Sequence, residues 1–262
     1  MTSHWDPGEN LAAIDAALGQ ARAAGAAVAF LPEMAALLDK DRSRSAAHVT
    51  AEADSPLLDA LRTLAARHGL WLHTGSTPFL AANDPSRRVN RSHMINSSGD
   101  VMARYDKIHL FDVDIPGGES WRESAAYAPG DAVVTVDTPI GRVGMSICFD
   151  MRFAELYRAL ADKGCDVIAV PAAFTVPTGQ AHWHVLLRAR AIEAQAYVIA
   201  AAQVGRHADG RATYGHSLGI DPWGMVLADA GDAGPAVQFV TIDPGAGDRA
   251  RAAIPMAANR RL

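Results

Sequence analysis

The chain holds two cysteines, and their settings differ. Cys148 follows the apolar run Val143-Gly144-Met145-Ser146-Ile147 and precedes Phe153, Leu156, Tyr157 and Leu160 at helical spacing. That pattern puts the thiol at a strand-to-helix corner, near free backbone N–H groups and the positive end of a helix dipole, a placement expected to favour the thiolate. A free thiol has a pKa of about 8.5 and is little ionised at neutral pH, so a nucleophilic role also calls for a neighbouring base. Cys165, between Gly164 and Asp166 in a helix-to-strand loop, reads as an inert core thiol. Glu33 follows Phe30-Leu31-Pro32 at a strand end, the side of an α/β sheet where ligands bind, and partial burial there would raise its pKa towards that of a useful base. Lys107 follows another strand inside Tyr105-Asp106-Lys107-Ile108-His109-Leu110-Phe111-Asp112. A nucleophile, a base and a fixed cation are the parts that acyl transfer at an amide requires.

The elements that would position them alternate along the chain. Asp6-Pro7-Gly8-Glu9 has the cap, the proline and the acid of a helix start, Leu11, Ile14 and Leu18 form a stripe, and Gly25 stops the helix. Ala26 to Leu31 is a short, continuously apolar run, the signature of a strand buried on both faces. Ser55-Pro56 opens a second helix with Leu57, Leu58, Leu61 and Leu64, Gly69 closes it, and Leu70 to Gly75 reads as a strand. Two strands flank Ser97-Ser98-Gly99-Asp100, and Val167 to Val170 completes a strand-helix-strand unit that begins before Cys148. A helix carrying Trp183, Leu186, Leu187, Arg190 and Ala194 leads into the strand Tyr197 to Ala202, and later strands flank Pro222-Trp223-Gly224. A mixed sheet covered by helices in one α/β domain over residues 1–262 is expected.

The bulk numbers narrow the partners. With 262 residues, 49% of them hydrophobic, the chain can bury one sizeable core. A net charge of -5 with interspersed signs gives no footprint for nucleic acid or an anionic membrane, so a small-molecule partner is expected. The start Met-Thr-Ser-His-Trp-Asp-Pro lacks a signal peptide's pattern, and no long apolar run follows, so a cytoplasmic location is expected. Two cysteines without Cys-x-x-Cys spacing suggest reduced thiols rather than a disulfide framework or zinc site. Asn90-Arg91-Ser92 and Asn96-Ser97-Ser98 match the glycosylation sequon, which matters only in a secreted chain.

Three segments together, Leu31-Pro32-Glu33-Met34, Tyr105 to Asp112 and Ser146-Ile147-Cys148-Phe149-Asp150-Met151-Arg152-Phe153, resemble the nitrilase, or carbon-nitrogen hydrolase, superfamily in order and spacing. The resemblance implies an α-β-β-α sandwich, subunits that dimerise or assemble further by stacking, and a triad carried here by Glu33, Lys107 and Cys148. A second glutamate of the family falls on Glu123 in Trp121-Arg122-Glu123-Ser124, where it would orient the lysine and substrate. The implied reaction has Glu33 taking the thiol proton as Cys148 attacks, Lys107 and the Phe149 backbone N–H holding the oxyanion, and Glu33 protonating the departing ammonia. A thioester then awaits hydrolysis, and neither a metal nor an organic cofactor is called for. Asp150 and Arg152 are expected to hold the elbow rather than touch substrate.

Further segments, among them Pro171 to Thr175, Thr178 to Trp183, Ala202 to His207 and Tyr214 to Ser217, look like the deaminated glutathione amidase branch. That likeness implies a small amide bearing a 2-oxo acid, with Phe174 and Thr175 as pocket residues. An omega-amidase acting on 2-oxoglutaramate is the alternative within the superfamily. From other classes come a serine esterase, because Gly215-His216-Ser217-Leu218-Gly219 matches a nucleophile elbow, and a non-catalytic binding protein. The turn at Pro222 argues against a helix after Ser217, and the complete triad argues against mere binding. His182-Trp183-His184 does not read as a metal site, since residues two apart on a helix diverge and no third ligand is evident. Two departures from the family stand out: Ala154 replaces the usual proline after Phe153, and the chain begins where relatives have completed a first strand, so either the start is placed too late or a strand is missing beside the one presenting Glu33.

Overall fold

Helix caps, sheet registers and apolar faces sort the chain into four layers in the computed structural model, which describes residues 1–115 and 120–261. Asp6 caps α1 (Pro7–Ala23) by accepting the Gly8 N–H at 2.8 Å. The short α2 (Arg42–Ser45) follows, and Ser55 caps α3 (Pro56–His68), which ends on the left-handed Gly69 at φ 62°. Both long helices cover the first sheet, with Ile14, Leu18, Leu58, Leu61 and Leu64 packed on Leu72, Phe79 and Ile95. Each such leucine contributes about 1.5–3 kcal/mol by leaving water.

That sheet is built from β1 (Val28–Phe30), β2 (Trp71–His73), β3 (Thr77–Ala81), β4 (Asp84–Ile95) and β5 (Val101–Asp106). Its order is β1-β2-β4-β3, with β5 also on β4; β1 and β2 are parallel and the other pairs antiparallel. A hairpin of β6 (Asp112–Asp114) and β7 (Ser120–Arg122) then leads to the second sheet. β8 (Thr135–Thr138), β9 (Gly141–Met145), β10 (Val167–Ala169) and β11 (Tyr197–Ala200) form most of it. The small ribbon of β12 (Val204–Arg206) and β13 (Ala212–Tyr214) lies outside it, and β14 (Leu218–Ile220) with β15 (Val226–Asp229) completes the order β15-β14-β11-β10-β9-β8. Helices α4 (Ala154–Asp162) and α5 (Val176–Ala194) cover this sheet through Leu156, Tyr157, Leu160, Trp183 and Leu187.

Between the sheets, Phe30, Trp71 and Met94 face Val143, Val167, Ala169 and Tyr197, which completes the α-β-β-α sandwich. The apolar run at Ala26 to Leu31 does not give a strand buried on both faces. β1 is three residues long and half-buried, because it lies at the sheet edge and pairs only with β2 among the described residues. β3 has no counterpart in the sequence reading, since Pro78 interrupts its pattern; it forms as a partner to the long β4. No described helix is long and apolar enough to cross a membrane.

The strand ends nearest the chemistry are tightly fitted. Gly75, after β2, has φ 68°, and a Cβ there would lie 1.8 Å from the Pro32 carbonyl oxygen, one residue before Glu33. Gly75→Ala therefore combines backbone strain with a clash against main chain, and a stability loss of about 2–5 kcal/mol by denaturant titration is expected, with activity falling in parallel.

His73, fully buried in β2, is pushed down to about 3 by burial and then by neighbouring His93. It stays neutral in the fold while the unfolded chain protonates near pH 6.5, so its contribution is complete above that value and is lost as pH falls towards 3. Stability is expected to drop by about 2 kcal/mol from this residue between about pH 6.5 and pH 5, with the His73 ring remaining neutral by NMR. A protonated His73 ring near pH 5 in the folded protein would contradict this.

Candidate active site

Four chain segments leave their strands at the same end of the sandwich and converge. β1 runs through Leu31-Pro32 into Glu33, β5 into Lys107, β9 through Ser146-Ile147 into Cys148, and β10 through Val170-Pro171-Ala172 into Ala173. Glu33, Lys107, Glu123, Cys148, Phe149, Phe174 and Thr175, all seven residues expected at a site, line one cleft of about 450 Å³.

Cys148 does not begin a long helix. Residues Cys148–Arg152 form a single 3₁₀ turn, and α4 starts only at Ala154 without a side-chain cap. Cys148 itself has φ 47°, a left-handed conformation that costs a residue with a Cβ about 1–3 kcal/mol. The turn is pinned by its backbone N–H donating to the Pro171 carbonyl at 2.8 Å and by Asp150. The fully buried Asp150 carboxylate accepts from Ile147 N–H at 2.9 Å, Tyr105 hydroxyl at 2.6 Å and His109 N–H at 3.0 Å, and contacts His109 Nδ1 at 2.7 Å. Asp150 thus fixes the elbow to the segment that carries Lys107. The Arg152 guanidinium does not share this task; it lies 5.2 Å from the Phe174 ring centre and 5.9 Å from that of Phe149, and contacts His182 at 3.3 Å. Phe149 N–H, beside the thiol, makes no backbone hydrogen bond to the described residues, whereas Asp150 N–H is committed to Ile147.

The charges are arranged around Lys107. Its buried Nζ donates to Glu33 Oε1 at 3.1 Å and to Glu123 Oε2 and Oε1 at 2.9 and 3.3 Å. Burial by itself would push the ammonium down, but the carboxylates of Glu123 and Glu33 outweigh it and hold Lys107 well above the ordinary lysine range. It is a permanent cation at neutral pH. Glu33 is buried and fully engaged: Asn90 Nδ2 donates to Oε1 at 2.9 Å and the Ala173 N–H to Oε2 at 2.9 Å. Glu123 is no free loop acid, since Phe111 N–H also donates to it at 2.6 Å.

The expected thiolate is absent from this electrostatic picture. Burial, and then the adjacent Glu33 carboxylate, push the Cys148 thiol well above its ordinary value, and Lys107 only partly offsets them. Ionising it would set a third negative charge against one ammonium, and the 3₁₀ turn supplies no long helix dipole in compensation. A neutral thiol next to a carboxylate is chemically a pair for proton transfer at the moment of attack. Cys165 is likewise held neutral, pushed up to about 12 by burial, as suits a core thiol.

Asn90 escaped the sequence reading, where it figured only as half of a sequon. Its amide bridges Glu33 and Glu123, reaching the latter at 3.5 Å, while its buried Oδ1 has no partner among the described residues. The cue was its place in a long strand that antiparallel pairing sets beside Lys107, whose N–H donates to the Asn90 carbonyl at 2.9 Å. Ser217 is not placed as a nucleophile. Its hydroxyl accepts the Ala202 N–H at 2.9 Å, and the strand β14 follows it rather than a helix. Phe174 packs on Trp183 with ring centres 5.0 Å apart, and Thr175 heads α5 with its hydroxyl 2.6 Å from that of Thr178.

Asn90→Leu keeps the bulk and removes the bridge, so kcat/KM is expected to fall by about 10- to 100-fold through misplacement of Glu33. Asn90→Asp, which adds a third carboxylate, should be worse, with a shifted pH profile that a purely structural defect would not produce.

Residues 1–252 match the family profile described as carbon-nitrogen hydrolase. A Yersinia enterocolitica protein named deaminated glutathione amidase is 43% identical over 231 residues, covering 88% of this chain and 80% of the relative. A Homo sapiens protein of that name is 41% identical over 246 residues, covering 93% and 75% respectively. Among solved structures, the C. elegans NitFhit protein superposes with a TM-score of 0.90 at 38% identity over 100% of this chain, which spans 63% of that longer one.

Proposed function

Because this chain belongs to the carbon-nitrogen hydrolase family and is an amidase, we propose that it works through a thioester on Cys148 and that its substrate is the 2-oxo acid amide deaminated glutathione. The observation that carries the first part is the neutral Cys148 thiol sharing one cleft with the buried Glu33 carboxylate and the permanently charged Lys107.

In the proposed sequence Glu33 takes the thiol proton as sulfur attacks the amide carbon, so the thiolate never has to accumulate. The oxyanion forms against Lys107 Nζ and the uncommitted Phe149 N–H, where loss of one donor would cost roughly 3–4 kcal/mol. Lys107 holds its proton too firmly to act as an acid, which leaves Glu33 to protonate the departing nitrogen. Water activated by the same carboxylate then cleaves the thioester and returns the proton to sulfur. Asn90 and Glu123 hold the two charged groups in place. No step uses a metal or organic cofactor.

The cleft supports an anionic substrate despite the net charge of -5. Lys40, Arg42, Arg88, Arg122 and Arg211 line its wall, and among the described residues Lys40, Arg42 and Arg88 form no salt bridge with a carboxylate. Deaminated glutathione carries a carboxylate at each end, which suits a site with cations spread along it better than the shorter 2-oxoglutaramate does. Its amides are secondary, so the leaving group is the amine of a peptide fragment and not ammonia; ammonia would leave only from 2-oxoglutaramate. Phe174 and Thr175 are assigned to the wall facing the acyl part. We place the enzyme in the cytoplasm, where the free Cys148 and Cys165 stay reduced, and as a dimer or higher assembly that covers the exposed Val185, Ile192, Trp223, Met225 and Leu227 on α5 and the β14–β15 hairpin.

The test follows 2-oxo acid and amine release from deaminated glutathione, and ammonia release from 2-oxoglutaramate. Cys148→Ala and Glu33→Gln are each expected to lose about 10³-fold or more in kcat, while Ser217→Ala keeps most activity. Full activity in Cys148→Ala would sink the thioester mechanism. A preference for 2-oxoglutaramate would overturn the substrate assignment and leave the mechanism standing.

A further inference from the structure

We infer that His184, His216 and Asp229 form a binding site for one divalent transition-metal ion, of which Zn²⁺ is the probe, separate from the Cys148 cleft. The three side chains come from three different elements: α5, the turn between β13 and β14, and the end of β15. His184 Nε2 and His216 Nδ1 each lie 3.1 Å from Asp229 Oδ2. One ligand atom from each residue can be chosen so that all lie within 4.8 Å of one another. In a tetrahedral zinc site with bonds of about 2.0–2.1 Å, neighbouring ligand atoms are roughly 3.3 Å apart, so two of the three edges are already near the required length. The remaining histidine-to-histidine edge lies within 4.8 Å and must shorten on binding.

The surroundings restrict the ligands without burying them. His216 has φ 54°, a left-handed conformation, and is fixed there by its N–H donating to the Gly231 carbonyl at 2.8 Å and its carbonyl accepting from Trp183 Nε1 at 2.8 Å. Its ring stacks on Tyr214 with centres 4.5 Å apart, and the Gly231 N–H orients Asp229 Oδ1 at 2.8 Å. Such support around first ligands is what sets metal affinity. In the single subunit the side chains are 34%, 21% and 34% exposed for His184, His216 and Asp229, so an ion can enter before a partner covers α5 and β15, and a water can take the fourth position. Two imidazoles and one carboxylate suit zinc and its neighbours in the first transition row and disfavour Mg²⁺ and Ca²⁺. His184 gains these partners although His182, two residues earlier, turns to Arg152. The divergence that ruled out a pair along one helix therefore leaves room for a site between elements.

The experiment is a competition titration of Zn²⁺ against a chromophoric chelator, using tag-free, metal-free protein. Wild type and Cys148→Ala should each take up one ion per chain, with affinity at least about 10-fold weaker in His184→Ala and in Asp229→Asn and no specific uptake in the double variant. Both substitutions are at partly exposed positions outside the cleft, so hydrolysis by the metal-free variants should match wild type. Co²⁺ in place of zinc should give the visible absorption of a tetrahedral centre in wild type and lose it in the double variant. No stoichiometric uptake by wild type, undiminished uptake by the double variant, or loss of uptake in Cys148→Ala would each overturn the assignment; the last would move the ion to the active-site thiol.

Discussion

One buried ammonium between two carboxylates sets the terms for the rest of the molecule. Lys107 contacts both Glu33 and Glu123 with almost no access to water. Isolating any one of these charges by removing its partner would cost about 3–5 kcal/mol, so their segments must arrive together. Glu33 comes from the end of β1, Lys107 from the end of β5 and Glu123 from the residue after β7. The sheet registers therefore have to bring these three segments to one place as well as bury apolar surface. Asn90 extends the same logic, as a neutral amide that can face two carboxylates where another acid could not.

The second constraint is mechanical. Cys148 is held in a left-handed conformation by Asp150, which gathers donors from the elbow, Tyr105 and His109. A single buried carboxylate thus ties the Cys148 turn after the second sheet's β9 to the segment that carries Lys107 after the first sheet's β5. Gly75 plays the complementary part on the other side, where the approach of main chain to main chain leaves no space for a methyl group beside Pro32. Strain at the thiol persists because these neighbours over-determine it.

Much of this was legible in the sequence because it is local. The Asp6 and Ser55 caps, the leucine stripe of α3, the Gly69 stop and the strand before Cys148 each depend on a few adjacent residues, and each is found as expected. The meeting of Glu33, Lys107 and Cys148 in one cleft was foreshadowed by three segments whose order and spacing are distinctive. What stayed hidden depends on pairing across the chain. The half-burial of β1 follows from its edge position, and β3 exists because β4 is long enough to hold it. The raised pKa of Cys148 could not be read from its corner alone, since it comes first from burial and then from Glu33, 115 positions away in the chain, and the turn is too short for a helix dipole. Arg152 and Asp150, two residues apart on that turn, share a neighbourhood in sequence and face different partners in space.

The neutral thiol has a bearing on durability. Peroxide and related oxidants attack the thiolate, and the first rung of cysteine oxidation is reached quickly only by sulfur that is both ionised and exposed. Cys148 lies on the cleft wall but is largely covered, and burial and then the Glu33 carboxylate hold its thiol well above the ordinary value. A thiol held neutral and covered in this way is expected to react with peroxide more slowly than an exposed, ionised one, so the same burial that raises its pKa also slows its oxidation.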